Sequence, residues 1–223
     1  MPTEVTDTRS LFAPTIKICG ISTPEAMATV IAARADFVGF NFYPASPRSV
    51  TPAQAQALGH QAAGRVKRVG VFVDASDEAI ASAVGTGGLD ALQLHGGESA
   101  ARAAELRARF VLPVWKVISV ASHADLARAA DYVGAADFVL IDAKTPKGDL
   151  PGGMGLSFDW ALLNGWKAPL AWGLAGGLTV RNVGAAIAQT GAPLVDTSSG
   201  VETAPGVKDS ALIASFCAAA RAV

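Results

Sequence analysis

The chain has 223 residues, 51% of them hydrophobic and 17% charged, with 18 Lys and Arg against 19 Asp and Glu for a formal net charge of −1. That balance excludes a nucleic-acid partner reached by phosphate neutralisation, and the composition excludes a disordered or coiled-coil chain. No apolar run approaches the ~20 residues of a membrane span, residues 1–10 are polar without a signal pattern, and Cys19 and Cys217 make no disulfide framework, so a soluble cytoplasmic enzyme with no membrane partner is expected.

Residues 1–14 read as an N-terminal extension. Beyond them one pattern recurs: a short β-branched apolar run ending in Gly, Asp or His, then an Ala-rich helical stretch. The first unit pairs a strand over 15–20 with a helix over 24–35, and the second 37–43 with 52–63. The third pairs 68–74 with 77–85, the fourth 91–96 with 99–110, and the fifth 114–120 with 124–133. Units six to eight pair 138–144 with 158–165, 169–176 with 180–190, and 194–200 with 210–222. Strand runs this apolar suit strands buried on both faces, as in parallel sheets. Thr23-Pro24-Glu25, Thr51-Pro52 and Ser76-Asp77-Glu78 mark helix starts, and Gly64 and Gly191 are candidate C-cap glycines. Eight units of about 28 residues, with no linker between them, predict an α/β fold: a (β/α)8 TIM barrel as one catalytic domain over 15–223.

A barrel places its chemistry at the C-terminal strand ends. The polar residues there are Cys19, Asp74, His95, Asp142 and Asp196, with Arg48 in the second loop. The two-residue strand period puts Lys17 and Cys19 on one side, so an ammonium is expected beside the thiol, lowering its pKa. Such a thiolate can be a nucleophile, ligand or base; the alternative is a small buried hydrophobe. Cys217, on the apolar face of the last helix, reads as structural. Asp142 ends the apolar run 138–141, where desolvation favours a proton donor, the alternative being a loop-capping Asp paired with Lys144. The following run, 145–155, with Gly148, Gly152, Gly153 and Gly155, reads as a lid or a backbone-lined binding loop. Gly176-Gly177 and Ser198-Ser199-Gly200 follow strands seven and eight, the frequent phosphate site of such barrels. Asp196 can accept from sugar hydroxyls, Arg48 can clamp a carboxylate in two-point fashion, and His95 is either a hydrogen-bonded structural residue or part of the site. No ligand spacing indicates a metal, and no dinucleotide fingerprint follows the first strand, so no cofactor is expected.

These segments resemble the phosphoribosylanthranilate isomerase family of tryptophan biosynthesis. The resemblance is carried by Lys17-Ile18-Cys19-Gly20, by Gly39-Phe40-Asn41-Phe42-Tyr43 with Ser46-Pro47-Arg48, and by Leu92-Gln93-Leu94-His95-Gly96. Further along it is carried by Leu140-Ile141-Asp142-Ala143, Gly152-Gly153-Met154-Gly155, Leu174-Ala175-Gly176-Gly177-Leu178 and the run 196–202. It implies a cofactor-independent Amadori rearrangement of N-(5-phosphoribosyl)anthranilate, with Cys19 as general base and Asp142 as general acid. It further implies that Arg48 holds the anthranilate carboxylate and that Gly176, Gly177, Ser198 and Ser199 hold the phosphate. The remaining expected substrate contacts are His95, Asp196, Gly153, Gly155 and Gly200. Met154 departs from the Thr or Ser usual at its position, which touches side-chain contacts there but not backbone ones. The expected partner is a small phosphorylated substrate, and the assembly a monomer or homodimer. Two alternatives stand beside this reading: a sugar-phosphate isomerase of the histidine pathway, whose family uses carboxylates at the ends of strands one and five, and a non-catalytic phosphate-binding barrel.

Overall fold

A computed structural model describes residues 13–144 and 155–223. Residues 1–12 of the expected extension, and 145–154 of the expected lid or binding loop, with Gly148, Gly152, Gly153 and Met154, lie outside the described residues. Eight parallel strands follow one another around a closed ring: β1 Thr15–Cys19, β2 Phe37–Asn41, β3 Lys67–Phe72, β4 Ala91–Leu94, β5 Val114–Val120, β6 Phe138–Ala143, β7 Ala171–Leu174 and β8 Leu194–Thr197. The last returns to the first in register, Lys17 opposite Asp196 and Ile18 opposite Thr197. The expected barrel is what the chain forms.

Around the ring run α1 Pro24–Ala32, α2 Pro52–Ala62, α3 Asp77–Gly87, α4 Ala100–Phe110, α5 His123–Ala127, α6 Val183–Thr190 and α7 Ser210–Arg221. All of these starts but that of α6 are fixed by side-chain caps. Thr23, Ser76 and Ser99 each accept from a backbone N–H in the first turn, and Thr51 forms a reciprocal capping box with Gln54. Gly191 closes α6 in the left-handed conformation, as expected; α2 is closed instead by Ala63, at φ 47°, one residue before Gly64.

The strand period divides the apolar residues into two cores. Val69, Ala91, Trp115, Val117, Leu140, Ala175 and Leu194 form one cluster inside the ring, where Trp115 packs on Phe37 and Phe138 at centroid distances of 5.1 and 4.5 Å. The alternate residues, among them Ile16, Ile18, Phe40, Leu92, Ile118 and Ile141, pack outward beneath the helices. Cys217 lies in that outer layer on α7, where burial pushes its thiol up to about 11 and leaves it structural, as expected.

One device recurs at the N-terminal end of the ring. Asp36, Asp90 and Asp137 each precede a strand, and their carboxylates accept the backbone N–H of Ile16, Arg68 and Val114 at 2.8, 2.8 and 2.9 Å. Each aspartate's own N–H donates back to the carbonyl of the same residue at 2.9, 2.7 and 2.8 Å. Three strand pairs are thus registered by reciprocal bonds where loops would otherwise leave backbone groups unpaired.

Two expected elements differ, and one element was not expected. The helix over 124–133 is one turn of α5 followed by a 3-10 segment, Arg128–Tyr132; the tighter winding leaves Tyr132 buried, its hydroxyl donating to Glu98 O at 2.7 Å. The helix over 158–165 is a single 3-10 turn, Trp160–Leu163, ended before Gly165 at φ 71°. Between β8 and α7 stands a hairpin, β9 Glu202–Ala204 with β10 Val207–Lys208, that the eightfold pattern does not contain. Several strands also stop short of the expected ends, because the ladder opens where residues such as His95 and Ser198 turn into the loops.

Candidate active site

At the C-terminal end of the ring a cavity of about 770 Å3, counting its open mouth, is lined by Cys19, Arg48, His95, Asp142, Gly155, Gly176, Gly177, Asp196, Ser198 and Ser199. The structure therefore brings together ten of the expected site residues from six different strands and their loops. Gly200 does not line the cavity; a Cβ there would strike the carbonyl of Leu178, so its glycine is required by packing behind the loop.

Cys19 ends β1 and projects inward on the same side as Lys17, whose fully buried Nζ contacts both carboxylate oxygens of Asp196 at 3.1 Å. Burial acts to discharge Lys17, but Asp196 and Cys19 prevail and hold its pKa above the ordinary value. Lys17 favours the thiolate, as expected, but the thiol does not end below its ordinary value. Burial pushes the Cys19 thiol up; Lys17 and Lys208 pull it down, Asp196 pushes against them, and the net shift is upward. The ammonium is present but its charge is largely answered by Asp196. Room for the sulfur comes from Gly39, opposite Cys19 in the β1–β2 register: a Cβ there would sit 2.6 Å from Sγ.

Asp142 ends β6 on the far side of the ring, with β7 and β8 between it and β1. It is 7% exposed, one carboxylate oxygen accepting the N–H of Ala143 at 2.7 Å and the other facing Nε2 of His95 at 3.4 Å. Its alternative partner, Lys144, pairs instead with Asp125 at 2.9 Å, leaving Asp142 to the cavity. His95 is held from behind. Lys116 of β5 donates to Leu94 O, Gly96 O and Glu98 Oε2 at 3.3, 2.6 and 2.8 Å, and Glu98 in turn accepts from Gly96 N and Asp74 N, both at 2.9 Å. Asp74 itself accepts from Gly97 N at 2.8 Å and is spent in this loop.

The glycines at β7 meet a stringent geometry. Gly176 and Gly177 have φ of 84° and 63°, and Cβ atoms there would lie 2.6 Å from Ala143 N and 2.8 Å from Leu156 O. Ser198 spends its hydroxyl on Cys19 O at 3.1 Å and accepts from Lys208 Nζ at 3.2 Å. That leaves the backbone, with Ser199, as the group this loop offers to a ligand.

Arg48 is 7% exposed and lines the cavity, but its Nε and Nη2 donate to the two oxygens of Glu202 at 2.8 and 2.7 Å. The two-point clamp expected of it is made, on that side of the guanidinium, with the protein's own carboxylate. Its loop is fixed by Ser46, whose hydroxyl accepts from Arg48 N and Asn41 Nδ2, both at 3.2 Å, as well as by prolines. Asn41, Ser46 and Glu202 stood in the motifs of the resemblance without being given a role, and Lys208 was not singled out from sequence. Asn41 could have been given a role, since it stands two residues past Gly39 on the inward face.

A family model for N-(5'-phosphoribosyl)anthranilate (PRA) isomerase matches residues 16–219, every strand of the ring. The chain belongs to the phosphoribosylanthranilate isomerase family. Among its relatives, the N-(5'-phosphoribosyl)anthranilate isomerase of Cereibacter sphaeroides is 53% identical over 209 residues, covering 92% of this chain and 98% of the relative. That of Zymomonas mobilis is 50% identical over 206 residues, covering 92% and 97%. Among solved structures, phosphoribosyl anthranilate isomerase from Thermotoga maritima superposes with a TM-score of 0.85 at 35% identity over 94% of this chain and 100% of that one. A family structure in complex with reduced 1-(o-carboxyphenylamino)-1-deoxyribulose 5-phosphate gives 0.82 at 33% identity, with the same coverage. Another Thermotoga maritima structure is of monomers generated from a dimeric family member. Membership sets aside the histidine-pathway alternative, and the described cavity lining includes no residue of β5, where that chemistry would want an acid. Among the described residues no helix is long and apolar enough to cross a membrane.

Proposed function

We propose that the chain converts N-(5-phosphoribosyl)anthranilate to 1-(2-carboxyphenylamino)-1-deoxyribulose 5-phosphate, with Cys19 as general base and Asp142 as general acid. The activity itself follows from family membership, and the aldose–ketose change is an internal transfer of hydrogen from C2 to C1. The observation that supports the roles is that a thiol and a carboxyl, both carried on strand ends, enter one cavity from facing parts of the ring.

Asp142 protonates the furanose ring oxygen as the C1–O bond breaks, and the anilino nitrogen supplies the electron pair that makes the C1=N iminium. Cys19, as thiolate, removes the C2 proton that the iminium has acidified, giving an enolamine. Protonation at C1 with loss of the C2 hydroxyl proton yields the ketone. Acid and base act at different atoms of one pentose, so they must stand apart across it. The backbone of Gly176, Gly177 and the turn Ser198–Ser199 takes the phosphate, Arg48 the carboxylate, and Asp196 and His95 the sugar hydroxyls. The substrate is thus a small phosphorylated molecule, and a free-thiol biosynthetic enzyme of this kind works in the cytoplasm.

Purified protein given N-(5-phosphoribosyl)anthranilate is expected to consume its fluorescence. Wild-type protein that binds the substrate without turning it over would overturn the reading in favour of a phosphate-binding barrel.

A further inference from the structure

We propose that Glu202 is a positioning residue for Arg48, and that the β9–β10 hairpin exists to set the enzyme's preference for a substrate bearing a carboxylate. This rests on the reading that Arg48 holds the anthranilate carboxylate. The hairpin is an addition to the eightfold repeat, standing between the 3-10 turn Ser199–Val201 and α7. Its first residue, Glu202, faces the guanidinium squarely: Oε1 accepts from Arg48 Nε at 2.8 Å and Oε2 from Nη2 at 2.7 Å. The other two bonds come from the hairpin itself, Lys208 Nζ to Oε1 at 2.7 Å and Gly206 N to Oε2 at 3.2 Å. The side chains of Arg48, Glu202 and Lys208 are only 9%, 4% and 2% exposed.

Packing repeats what the hydrogen bonds do. Gly206, at φ 83°, turns so close to the Arg48 loop that a Cβ would lie 2.6 Å from Pro47 O. On the other side a Cβ at Gly20 would lie 2.6 Å from Arg48 Cδ, so the arginine stem is gripped between the end of β1 and the hairpin. Burial acts to raise the Glu202 pKa, but Arg48 and Lys208 prevail and hold the carboxyl below its ordinary range. The anion would by itself cancel the charge Arg48 offers to a ligand. Lys208 answers it as a second cation on the same anion. Its three hydrogens go to Glu202 and to the carbonyl and hydroxyl of Ser198, at 2.7, 2.9 and 3.2 Å, which ties the arginine's support to the Ser198 loop.

The test compares inhibition by reduced 1-(o-carboxyphenylamino)-1-deoxyribulose 5-phosphate with inhibition by the same compound lacking the carboxylate. Wild-type protein is expected to prefer the carboxylated compound. Glu202→Gln should cut that preference by about ten-fold through weaker binding of the carboxylated compound alone, with the substrate KM rising in step. Glu202→Asp, which keeps the charge but withdraws it, should do the same to a smaller degree and serves if the Gln variant does not fold. In an Arg48→Ala background, where the preference should already be gone, Glu202→Gln should change nothing further. Equal weakening of both compounds, or of neither, would overturn the proposal while leaving Arg48 its role. Preference surviving in Arg48→Ala would overturn the carboxylate reading itself, and the proposal with it.

Discussion

At the N-terminal end of the ring one residue type does one job three times, Asp36, Asp90 and Asp137 each exchanging two bonds with a neighbouring strand. At the other end the cavity strands finish differently, with a thiol on β1, a carboxyl on β6, glycines after β7 and a buried Asp196 on β8. Repetition suits a task that every strand pair shares, namely satisfying backbone groups and fixing register. Catalysis needs groups of unlike chemistry at unlike positions around one small molecule. Substitutions at the two ends should therefore fail in different measurements: turnover at one, stability at the other.

The largest effects are expected for Cys19→Ala and Asp142→Asn. Each should lower kcat by at least about 10²-fold, the usual range for a positioned acid or base, with little change in melting temperature. Near wild-type turnover in Cys19→Ala would remove the base from the mechanism. Gly39→Ala comes next. Its methyl would stand 2.6 Å from the Cys19 sulfur and 3.2 Å from Lys17 Nζ, so the thiol must move. A displacement of that order should cost between about ten- and a hundred-fold in kcat, and a fully active Gly39→Ala would show that thiol placement is loose.

The charges around Cys19 give a smaller, directional effect. A base must be deprotonated to act, and burial raises this thiol's pKa, so kcat/KM should climb with pH along a limb lying above the ordinary thiol range. Lys17 favours the thiolate and Asp196 opposes it, so Lys17→Met should move the limb further up and Asp196→Asn should move it down. Movement of both limbs in the same direction would break the assignment. Acid works on Glu202 in the opposite sense. Its folded pKa lies below the unfolded value, so the stability it contributes is present above that unfolded value and is lost as pH falls through the folded one.

How far these features were legible depended on whether one strand or two were needed to see them. The ring followed from recurrence along the chain, and Cys19, Asp142 and Asp196 followed from strand-end position, because each is set by its own strand. The space Gly39 leaves for sulfur is a property of β1 against β2, visible only once Cys19 and Gly39 stand opposite each other. The direction of the thiol's shift was missed for a similar reason: Lys17 is a neighbour in sequence, whereas the burial that outweighs it, and Asp196, which adds to that burial, come from the closed ring. The hairpin left no trace, since strands of three and two residues carry no alternation, and what holds them is the Glu202 cluster more than any apolar pattern. The helices expected after β5 and β6 show the converse, apolar stretches of helical length that end as one α-turn with a 3-10 segment and as a single 3-10 turn.

The aspartates at the quiet end provide the smallest expected effect and the control for the others. Val114 is fully buried, and its N–H has the Asp137 carboxylate as its acceptor at 2.9 Å. In Asp137→Ala that donor is left without its charged partner, a loss worth about 1.5–3 kcal/mol. The neighbouring ion pair with Arg107, at 2.7 Å but with both side chains about a third or more exposed, adds little to this. Asp137→Asn keeps a carbonyl oxygen for the same N–H and should recover most of the loss, which separates the hydrogen bond from the charge. Neither variant should alter kcat/KM by more than about two-fold, because surface or remote changes couple weakly to a site they do not touch. Denaturant unfolding and steady-state kinetics on the same preparations would check both halves. A large drop in turnover for Asp137→Ala at unchanged stability would mean that strand register at one end of the ring is transmitted to the thiol and carboxyl at the other, and the division of labour between the two ends would fail.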